Sequence, residues 1–518
     1  PATGYAIAPL GTPVYGGVKP GAGIAIFGYT VDASSVANTG GNIMMRGDGG
    51  ASTNSTRGVL IEALSGVQSY IKTNGSGTVS IYGDGSGVQG LNPWGIALTW
   101  SDISTTNGDI LLDGIGNNSN IANARGLALT NFNITSTAGN VSILDRTNGA
   151  ASNYTGLYFY GGDGSTLTSG SNKTISITAD EVVFDISSAG SSWFKSGNVT
   201  INPYTSSSFT APLVLQKIKT DTSASFLVGD NSYGLNAANV TVNTSTPLTV
   251  NGPITMYGGN ISLNSALTAS SNTITLKGAG AITQSATSSD LTSDKLLLLG
   301  GNVTLGNAGN NVGTIAASGV SNLLYLDSDT LTIGTVSNGL QGSSGMPPGT
   351  LGSATGVDAT GTINIQTQIG NLTVANNVNT TDSTINAILL NAGKTKAPGT
   401  ATGGNILLSG SPAITAGTGA TIKIYTGEIG ATGGPESLIS TGQGRFRYNS
   451  DETTNFATGS WTNLGTDKYV IYRAQPTATF SMGNTMIYGE ALPAFTTTGA
   501  VNGDVSNATI NKIGRAHV

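Results

Sequence analysis

The chain has 518 residues, of which only 9% are charged, 76 are glycine and 38% are apolar, with a net charge of −6. The charged fraction is far below the roughly 25% of an ordinary soluble domain, yet the apolar fraction is too high for a chain that is disordered through low hydrophobicity. The sequence has no basic stripe, no apolar run of about 18 residues and no cysteine. These absences argue against nucleic acid, a transmembrane helix, disulfides and Cys-ligated metals as features of this protein.

The apolar residues form short β-branched runs such as NVTI, TITL and NVTV, each bounded by Gly, Asn or Ser. This pattern predicts many short strands joined by turns, and no amphipathic helix of four turns is found. The fold class predicted from these runs is all-β.

Four matching segments begin at Gly41, Gly77, Gly108 and Gly139, spaced 36, 31 and 31 residues apart. A second strand signal follows each of them 17 or 18 residues later, and a third signal, such as SYIKT at 69–73, closes each segment. We interpret each segment as one coil of a solenoid, with three short strands and Gly at corners that require a positive φ. A single coil cannot bury its inward residues, so successive coils are expected to share one core.

The repeat continues less regularly beyond residue 170, in runs from TISI at 174–177 to TIKI at 421–424. The first and third residues of each run are apolar and are predicted to point inward, whereas Thr, Ser or Asn points outward. Uncharged outward residues suit strands stacked in register, because like charges opposite each other would repel. The stretches 339–356 and 391–404 are predicted to be loops.

The chain is predicted to divide into four parts. Residues 1–440 form the parallel β-helix repeat region, 441–475 a cap or connector, 476–512 a truncated small β domain and 513–518 a non-native tail. The connector contains seven charged and six aromatic residues among its 35. It is predicted to cover the exposed strand edges at the end of the solenoid.

Three stretches, GAGAITQS (278–285), LLLLGGNVTL (296–305) and NAGNNVGTIAASG (307–319), resemble the repeats of filamentous-haemagglutinin-like exoproteins. These are bacterial surface adhesins exported by two-partner secretion, and the resemblance covers roughly residues 30 to 440 of the chain. It implies a right-handed parallel β-helix outside the cell and an outer-membrane transporter as export partner. The diagnostic N-terminal secretion domain of the family is not visible in the sequence.

The stretch YGEALPAF at 488–495, with VNGD at 501–504, resembles the first half of an MBG module, a small β domain of bacterial surface proteins. Ala500 replaces the larger apolar residue that is usual in that module. The final residues, IGRAHV at 513–518, resemble translated sequencing adapter and include the single histidine, His517. With Pro1 at the start, we expect a fragment of a longer protein.

Catalytic, cofactor-binding and metal-binding residues are all predicted to be absent, and no cofactor is expected. Histidine-based triads are not expected once the tail is set aside. The Gly-Asp-Gly stretches at 47–49, 83–85 and 162–164 lack the nine-residue spacing of calcium-binding repeats and are interpreted as turns. The alternative is a polysaccharide lyase or hydrolase, which needs two carboxylates converging on one cleft, whereas only Asp451 and Glu452 are clustered.

Arg46-Gly47-Asp48 is a tripeptide that integrin-type receptors can bind, and it lies at a predicted junction between strand and turn. We interpret Gly47-Asp48 as turn residues, and a receptor ligand is the alternative. The equivalent residues in the sister coils are predicted to be Tyr82-Gly83-Asp84, Leu112-Asp113-Gly114 and Leu144-Asp145-Arg146.

Four acidic residues, Asp48, Asp84, Asp113 and Asp145, follow the opening glycines by 7, 7, 5 and 6 positions. They are expected to stand above one another at one corner as turn-forming residues, despite a repulsion of roughly 1 kcal/mol or less per pair. The alternative is that neighbouring carboxylates share a Ca²⁺.

The predicted function is a structural and adhesive, non-catalytic segment of a secreted exoprotein on the bacterial cell surface, associated with the outer membrane. The predicted partners are host-cell or surface receptors or glycans. A carbohydrate-active β-helix enzyme is the alternative function.

Overall fold

The computed structural model describes residues 22–37, 39–49, 57–87, 93–116, 124–147, 156–161, 165–186, 194–195, 197–204, 208–216, 218–220, 223–229, 236–244, 246–285, 288–340, 352–440, 444–453, 464–477, 479–482, 495–499 and 501–502. Within these ranges the regular structure consists of β-strands and one 3-10 turn at Pro435–Leu438. The all-β fold class predicted from the sequence is therefore confirmed. The stretch 488–494, the Gly-Asp-Gly at 162–164 and the tail at 513–518 lie outside the described residues.

The strands are short and follow one another closely along the chain. In chain order they are β1 (Ala22–Phe27), β2 (Thr30–Asp32), β3 (Ile43–Asp48), β4 (Arg57–Glu62), β5 (Ser69–Lys72), β6 (Val79–Asp84), β7 (Trp94–Thr105), β8 (Ile110–Ile115), β9 (Arg125–Ser136), β10 (Val141–Asp145), β11 (Leu157–Gly161), β12 (Thr166–Thr168), β13 (Thr174–Thr178), β14 (Val182–Ile186), β15 (Phe194–Lys195), β16 (Asn198–Asn202), β17 (Leu213–Gln216), β18 (Ser225–Val228), β19 (Val240–Asn243), β20 (Leu248–Thr249), β21 (Ile254–Gly258), β22 (Ile261–Leu263) and β23 (Leu267–Gly278). They continue with β24 (Ala281–Gln284), β25 (Leu291–Leu299), β26 (Asn302–Leu305), β27 (Asn311–Val320), β28 (Leu323–Asp327), β29 (Leu331–Ile333), β30 (Thr335–Ser337), β31 (Ser353–Thr355), β32 (Val357–Ala359), β33 (Ile363–Thr367), β34 (Leu372–Val374), β35 (Val378–Thr380), β36 (Ile388–Asn391), β37 (Ile406–Leu408), β38 (Ile414–Thr415), β39 (Thr421–Thr426), β40 (Phe446–Arg447), β41 (Asp467–Tyr472), β42 (Thr479–Met482) and β43 (Phe495–Thr498).

The first of two compact units comprises residues 1–312, 316–319 and 336–354. Its strands form parallel ladders in which each strand pairs with the corresponding strand of the next coil. One ladder runs β3–β6–β8–β10–β13–β16–β18–β21–β23–β25, a second runs β1–β4–β7–β9–β11–β14, and a third runs β2–β5–β7–β9–β12–β15. A further ladder in the same unit runs β17–β19–β22–β24–β26. Parallel strands that recur once per coil define a parallel β-helix.

The second unit comprises residues 313–315, 320–335 and 355–518. It is built in the same way, with parallel ladders β28–β33–β36–β39–β41, β29–β34–β37 and β32–β35–β38. Strands β40 and β41, which belong to the predicted connector at 441–475, pair with each other in parallel, and β41 extends the ladder of β39. The last two strands, β42 and β43, form an antiparallel pair.

The period-two alternation predicted from the sequence determines which side chains of each strand point into the core. In β3, Ile43 and Met45 are buried while Met44 and Arg46 are exposed, and β6 and β10 repeat this alternation. Inward residues of successive coils are in register, so that Ile43 pairs with Val79. The core is thus a set of aliphatic columns, which remove apolar surface from water continuously along the stack.

The glycines that open the coils have a different role from the predicted one. Gly77, Gly108 and Gly139 do not have positive φ, but a Cβ at Gly77 would lie 2.6 Å from the carbonyl oxygen of Gly41, and a Cβ at Gly108 would overlap that of Gly77. These positions need glycine because neighbouring coils approach closely there. Other glycines do take left-handed corners as predicted, namely Gly28, Gly66 and Gly75, and Ser65, Trp100 (φ 50°) and Asn131 (φ 45°) take further ones.

The predicted separation into three strands per coil is wrong for two coils. Strands β7 and β9 each run for 12 residues and turn the corner at Trp100 and Asn131 without interruption. A single left-handed residue bends the chain there, so no loop is needed between the second and third strand positions.

Buried hydroxyl groups close each coil onto the next. Thr105 and Ser136 are in register, and both side chains donate hydrogen bonds to the carbonyl of Gly108, at 2.5 and 2.7 Å. Thr73 donates similarly to the carbonyl of Gly41 at 2.7 Å. These contacts satisfy carbonyl groups that the turn leaves without a strand partner.

Outward Asn and Asp side chains form a second bridge between coils. The Oδ1 atom of Asn42 accepts from the backbone N–H of Thr78 at 3.0 Å, and Asp109 and Asn140 repeat this contact to the next coil. The Gly-Asn and Gly-Asp pairs that begin the repeats are therefore explained by close packing at the first residue and interstrand bonding at the second.

Candidate ligand-binding face

The Arg-Gly-Asp tripeptide does not form a turn, contrary to the interpretation of the sequence. Arg46, Gly47 and Asp48 are the last three residues of β3 and pair with Tyr82, Gly83 and Asp84. The side chains of Arg46 and Asp48 are 77% and 68% exposed, with Nε and Oδ1 separated by 3.9 Å. Gly47 points inward, where a Cβ would overlap the carbonyl oxygen of Gly58. Packing therefore requires this glycine.

The expected column of four carboxylates is also wrong. Asp48 and Asp84 are in register, but Asp113 pairs with Tyr82 and Leu144. The carboxylate of Asp113 binds Arg146, whose Nε lies 2.6 Å from Oδ1. The strands β3, β6, β8 and β10 all begin two residues after their opening glycine and pair from their first residues. Asp113 follows Gly108 by five residues where Asp84 follows Gly77 by seven, so it lies two strand positions earlier than Asp84.

Asp145 is in register with Gly114 and is completely buried. Its Oδ1 accepts from the backbone N–H of Thr147 at 2.8 Å, whereas its Oδ2 has no hydrogen-bond partner. Burial raises the pKa of Asp145 to about 7, the hydrogen bonds from Thr147 oppose this rise, and the charges of Asp180 and Glu181 add to it. Burial also raises the pKa of Glu181 to about 7. Among the described residues, no three His, Cys, Asp or Glu side chains lie close enough together to hold a metal ion.

A surface of exposed apolar side chains lies where the second strand position meets the third. We name it the corner face, and it consists of Tyr29, Leu64, Val67, Tyr70 and Trp100, which are 62%, 44%, 58%, 38% and 57% exposed. These residues belong to three successive coils. Exposed apolar surface of this kind is typical of an interaction site.

Backbone contacts show that the corner face is continuous. The N–H of Tyr70 donates to the carbonyl of Tyr29 at 3.0 Å, and the N–H of Ala63 donates to the carbonyl of Thr99 at 3.0 Å. A Cβ placed on Gly28 would lie 2.9 Å from the Cβ of Leu64. Because adjacent coils are about 4.8 Å apart, Tyr29 and Trp100 are separated by about 10 Å along the stack.

A chain of hydrogen bonds between side chains borders the corner face. Tyr70 donates from Oη to Gln68 Oε1 at 3.1 Å, and Gln68 donates from Nε2 to Asp102 Oδ1 at 2.9 Å. Asn133 also donates to Asp102 Oδ1, at 3.0 Å, and accepts from Thr166 Oγ1 at 3.0 Å. This chain crosses four coils, and it orients the polar groups beside the aromatic rings.

Trp100 has an unusual backbone conformation for its residue type. Its φ of 50° is left-handed, which costs a residue other than glycine about 1–2 kcal/mol, and its ring is nevertheless left largely in water. Asn131, which follows it in the same column, is a residue type that tolerates this conformation. The tryptophan is thus unfavourable for folding in both backbone and side chain.

A second aromatic feature stabilises the stack. The Arg57 guanidinium lies 4.6 Å from the centre of the Trp94 ring, and Arg125 lies 5.1 Å from Trp94 and 3.8 Å from Tyr158. Tyr158 donates to Asp185 at 2.5 Å, and burial raises the pKa of Tyr158 to about 12. This alternation of cations and rings joins four coils by cation–π contacts.

The adjacent acids Asp451 and Glu452 are engaged in local structure. Asp451 Oδ1 accepts from the backbone and hydroxyl of Thr453 at 2.9 and 2.8 Å. Glu452 accepts from Asn391 Nδ2 at 2.9 Å and lies 4.0 Å from the Lys394 ammonium. Both acids thus fix turns of the chain.

Arg473 is fully buried and holds the predicted loop at 391–404. Its Nη1 donates to the Ala392 carbonyl at 2.5 Å and its Nη2 to the Gly404 carbonyl at 2.7 Å. Burial lowers the pKa of Arg473 to about 10, so the guanidinium is still charged at neutral pH.

Sequence reasoning missed the corner face. The SYIKT run predicts a strand that contains Tyr70, but the repeat does not indicate that Tyr29 and Trp100 lie near it. The available signal was an aromatic residue at the predicted boundary between second and third strands, where a polar turn residue is usual.

No protein-family model, curated protein or solved structure matches the chain. In the part of the chain that the structure describes, no helix has the length and apolar character needed to cross a membrane.

Proposed function

We propose that the chain is a structural and adhesive segment of a bacterial exoprotein similar to the filamentous haemagglutinins, secreted and displayed at the cell surface. The observation that carries this proposal is the corner face, in which three aromatic residues of successive coils are exposed on a rigid stack. A stack held by interstrand hydrogen bonds and aliphatic columns presents such a surface with little loss of entropy on binding. Host-cell or surface receptors or glycans are the proposed partners, and an outer-membrane transporter is the proposed export partner.

An attachment assay tests this proposal. Fluorescent beads coated with the purified chain are applied to cultured epithelial cells, to abiotic surfaces and to bacterial lawns, with beads coated with an unrelated β-rich protein as control. We expect retention above the control on at least one of these targets. Equal retention of both kinds of bead on all targets would argue against an adhesive role.

One observation favours the enzyme alternative. A half-buried carboxyl whose pKa is about 7, as at Glu181, is suited to general-acid catalysis near neutral pH. Incubation with acidic and neutral polysaccharides should release no reducing ends and no unsaturated products if the structural proposal is right. Product release that is lost in Glu181→Gln would instead favour a lyase or hydrolase.

A further inference from the structure

The corner face combines two properties that together indicate a particular class of ligand. Its three aromatic rings, from Tyr29, Tyr70 and Trp100, are exposed on successive coils. The face of an aromatic ring carries partial negative charge and attracts polarised C–H groups. The bordering side chains of Gln68, Asp102 and Asn133 offer hydrogen-bonding groups already oriented by their mutual contacts.

The charges near this surface are mostly acidic. Asp102 is the acidic residue in the bordering chain of hydrogen bonds, and its Oδ1 accepts hydrogen bonds from the side-chain amides of Gln68 and Asn133. The nearest charged ladder positions are Glu62, which pairs with Thr99, the residue before Trp100, and Asp32 and Lys72, which pair with each other, with Nζ 3.0 Å from Oδ2. Because Asp102 and Glu62 make the charge of this surface net negative, it favours an uncharged ligand over a sulfated or carboxylated one.

The conformation of Trp100 adds an independent argument. A left-handed backbone and an exposed indole both oppose folding, and strain that persists in this way is typical of functional sites. The in-register Asn131 shows that the same corner forms with a residue suited to it.

We propose that the corner face binds a neutral, linear polysaccharide. The sugar rings stack with their C–H faces on Trp100, Tyr70 and Tyr29, and their hydroxyls exchange hydrogen bonds with Gln68, Asp102 and Asn133. The chain of sugars runs along the stack, because the aromatic residues lie on three successive coils over about 10 Å. This inference rests on the proposed adhesive function and names the ligand class of the same site.

The test uses the full chain and affinity electrophoresis in gels containing a soluble β-glucan, an α-glucan, a galactomannan or an arabinoxylan, with polygalacturonate and heparin as anionic probes. We expect retardation by at least one neutral polysaccharide that persists in 0.5 M NaCl, since no ion pairs are involved. Trp100→Asn should weaken that binding by at least about tenfold, as removal of a central aromatic contact usually does.

Trp100→Asn is informative because asparagine suits the left-handed corner, so the variant is expected to fold with unchanged or raised thermal stability. Tyr204→Ala is the matched control, because Tyr204 is 39% exposed, like Tyr70, but lies outside the corner face. Retardation by none of the neutral polysaccharides, equal retardation of wild type and Trp100→Asn, or retardation by anionic probes alone would overturn the proposal.

The bead assay separates this inference from the proposed function. If beads coated with the wild-type chain and beads coated with Trp100→Asn adhere equally well, the chain is adhesive through another surface and the glycan assignment is wrong. If no bead adheres while neutral polysaccharide still binds through Trp100, the ligand assignment stands and the adhesive role does not.

Discussion

Asp145 takes the strand position that Gly114 has in the preceding coil, and its buried carboxylate fills the space beside Gly126. The residues at this ladder position in the three preceding coils are Gly47, Gly83 and Gly114, so an acidic residue follows three glycines at a closely packed point of the stack. Because this carboxyl is held away from water, its protonation is coupled to folding.

The stability of the protein should fall as pH rises from about 4 to about 7. Asp145 has a folded pKa of about 7 against about 3.9 when unfolded, so in this interval the native state binds more protons than the unfolded state. The stabilisation contributed by this group is therefore fully present below about pH 4, and on the order of 4 kcal/mol of it is lost by pH 8. Chemical unfolding at pH 4.5, 6 and 8 measures it.

Asp145→Asn should reduce this pH dependence and raise stability at pH 8, because the amide cannot ionise, and Glu181, whose pKa burial also raises to about 7, should contribute the remainder. Asp48→Asn is the control, since Asp48 lies on the exposed side of β3 and this substitution leaves the buried carboxyl of Asp145 in place. Identical profiles for wild type and Asp145→Asn would contradict the assignment.

Gly108→Ala should destabilise the protein by about 1–3 kcal/mol, because its Cβ would overlap the carbonyl of Gly77 and backbone must move. Gly87→Ala is a matched control, since its Cβ would meet only the Gly49 carbonyl, at 3.6 Å, and its φ is not positive. Thermal unfolding distinguishes the two variants. Similar melting temperatures for both would show that close approach is not the reason for glycine at position 108.

Arg473→Met should release the loop at 391–404. The substitution removes donors to the carbonyls of Ala392 and Gly404 and leaves both buried, at a cost of about 2–4 kcal/mol. Limited trypsin digestion should then cut faster at Lys394 and Lys396. Arg445→Met, which removes a partly exposed ion pair with Asp467, is expected to leave these cleavage rates unchanged.

Attachment to cells should not depend on the Arg-Gly-Asp tripeptide. Arg46 and Asp48 lie on an extended strand with their charged groups 3.9 Å apart, so a receptor would have to separate them and accept a backbone without a turn. Arg46→Ala beads are therefore expected to adhere as wild-type beads do. A loss of adhesion in both Arg46→Ala and Asp48→Ala, with Met44→Ala as exposed control from the same strand, would restore the receptor-ligand alternative.

The amino-acid sequence by itself determined the architecture. The alternation at Ile43 and Met45 and the recurring Gly-Asn pairs are local patterns that each coil repeats, and the low charged fraction of 9% is a property of composition. These features predicted an all-β, stacked parallel fold without knowledge of any contact.

Only the tertiary structure decided which residues of different coils meet. The strands pair from their first residues although the coils differ in length, so Asp113 pairs with Tyr82 and not with Asp84, and Asp145 enters a glycine column. The left-handed conformation of Trp100 and the neighbours of its ring depend on how one coil packs against the next. Register between coils is a long-range property, and a pattern read along one chain segment does not contain it.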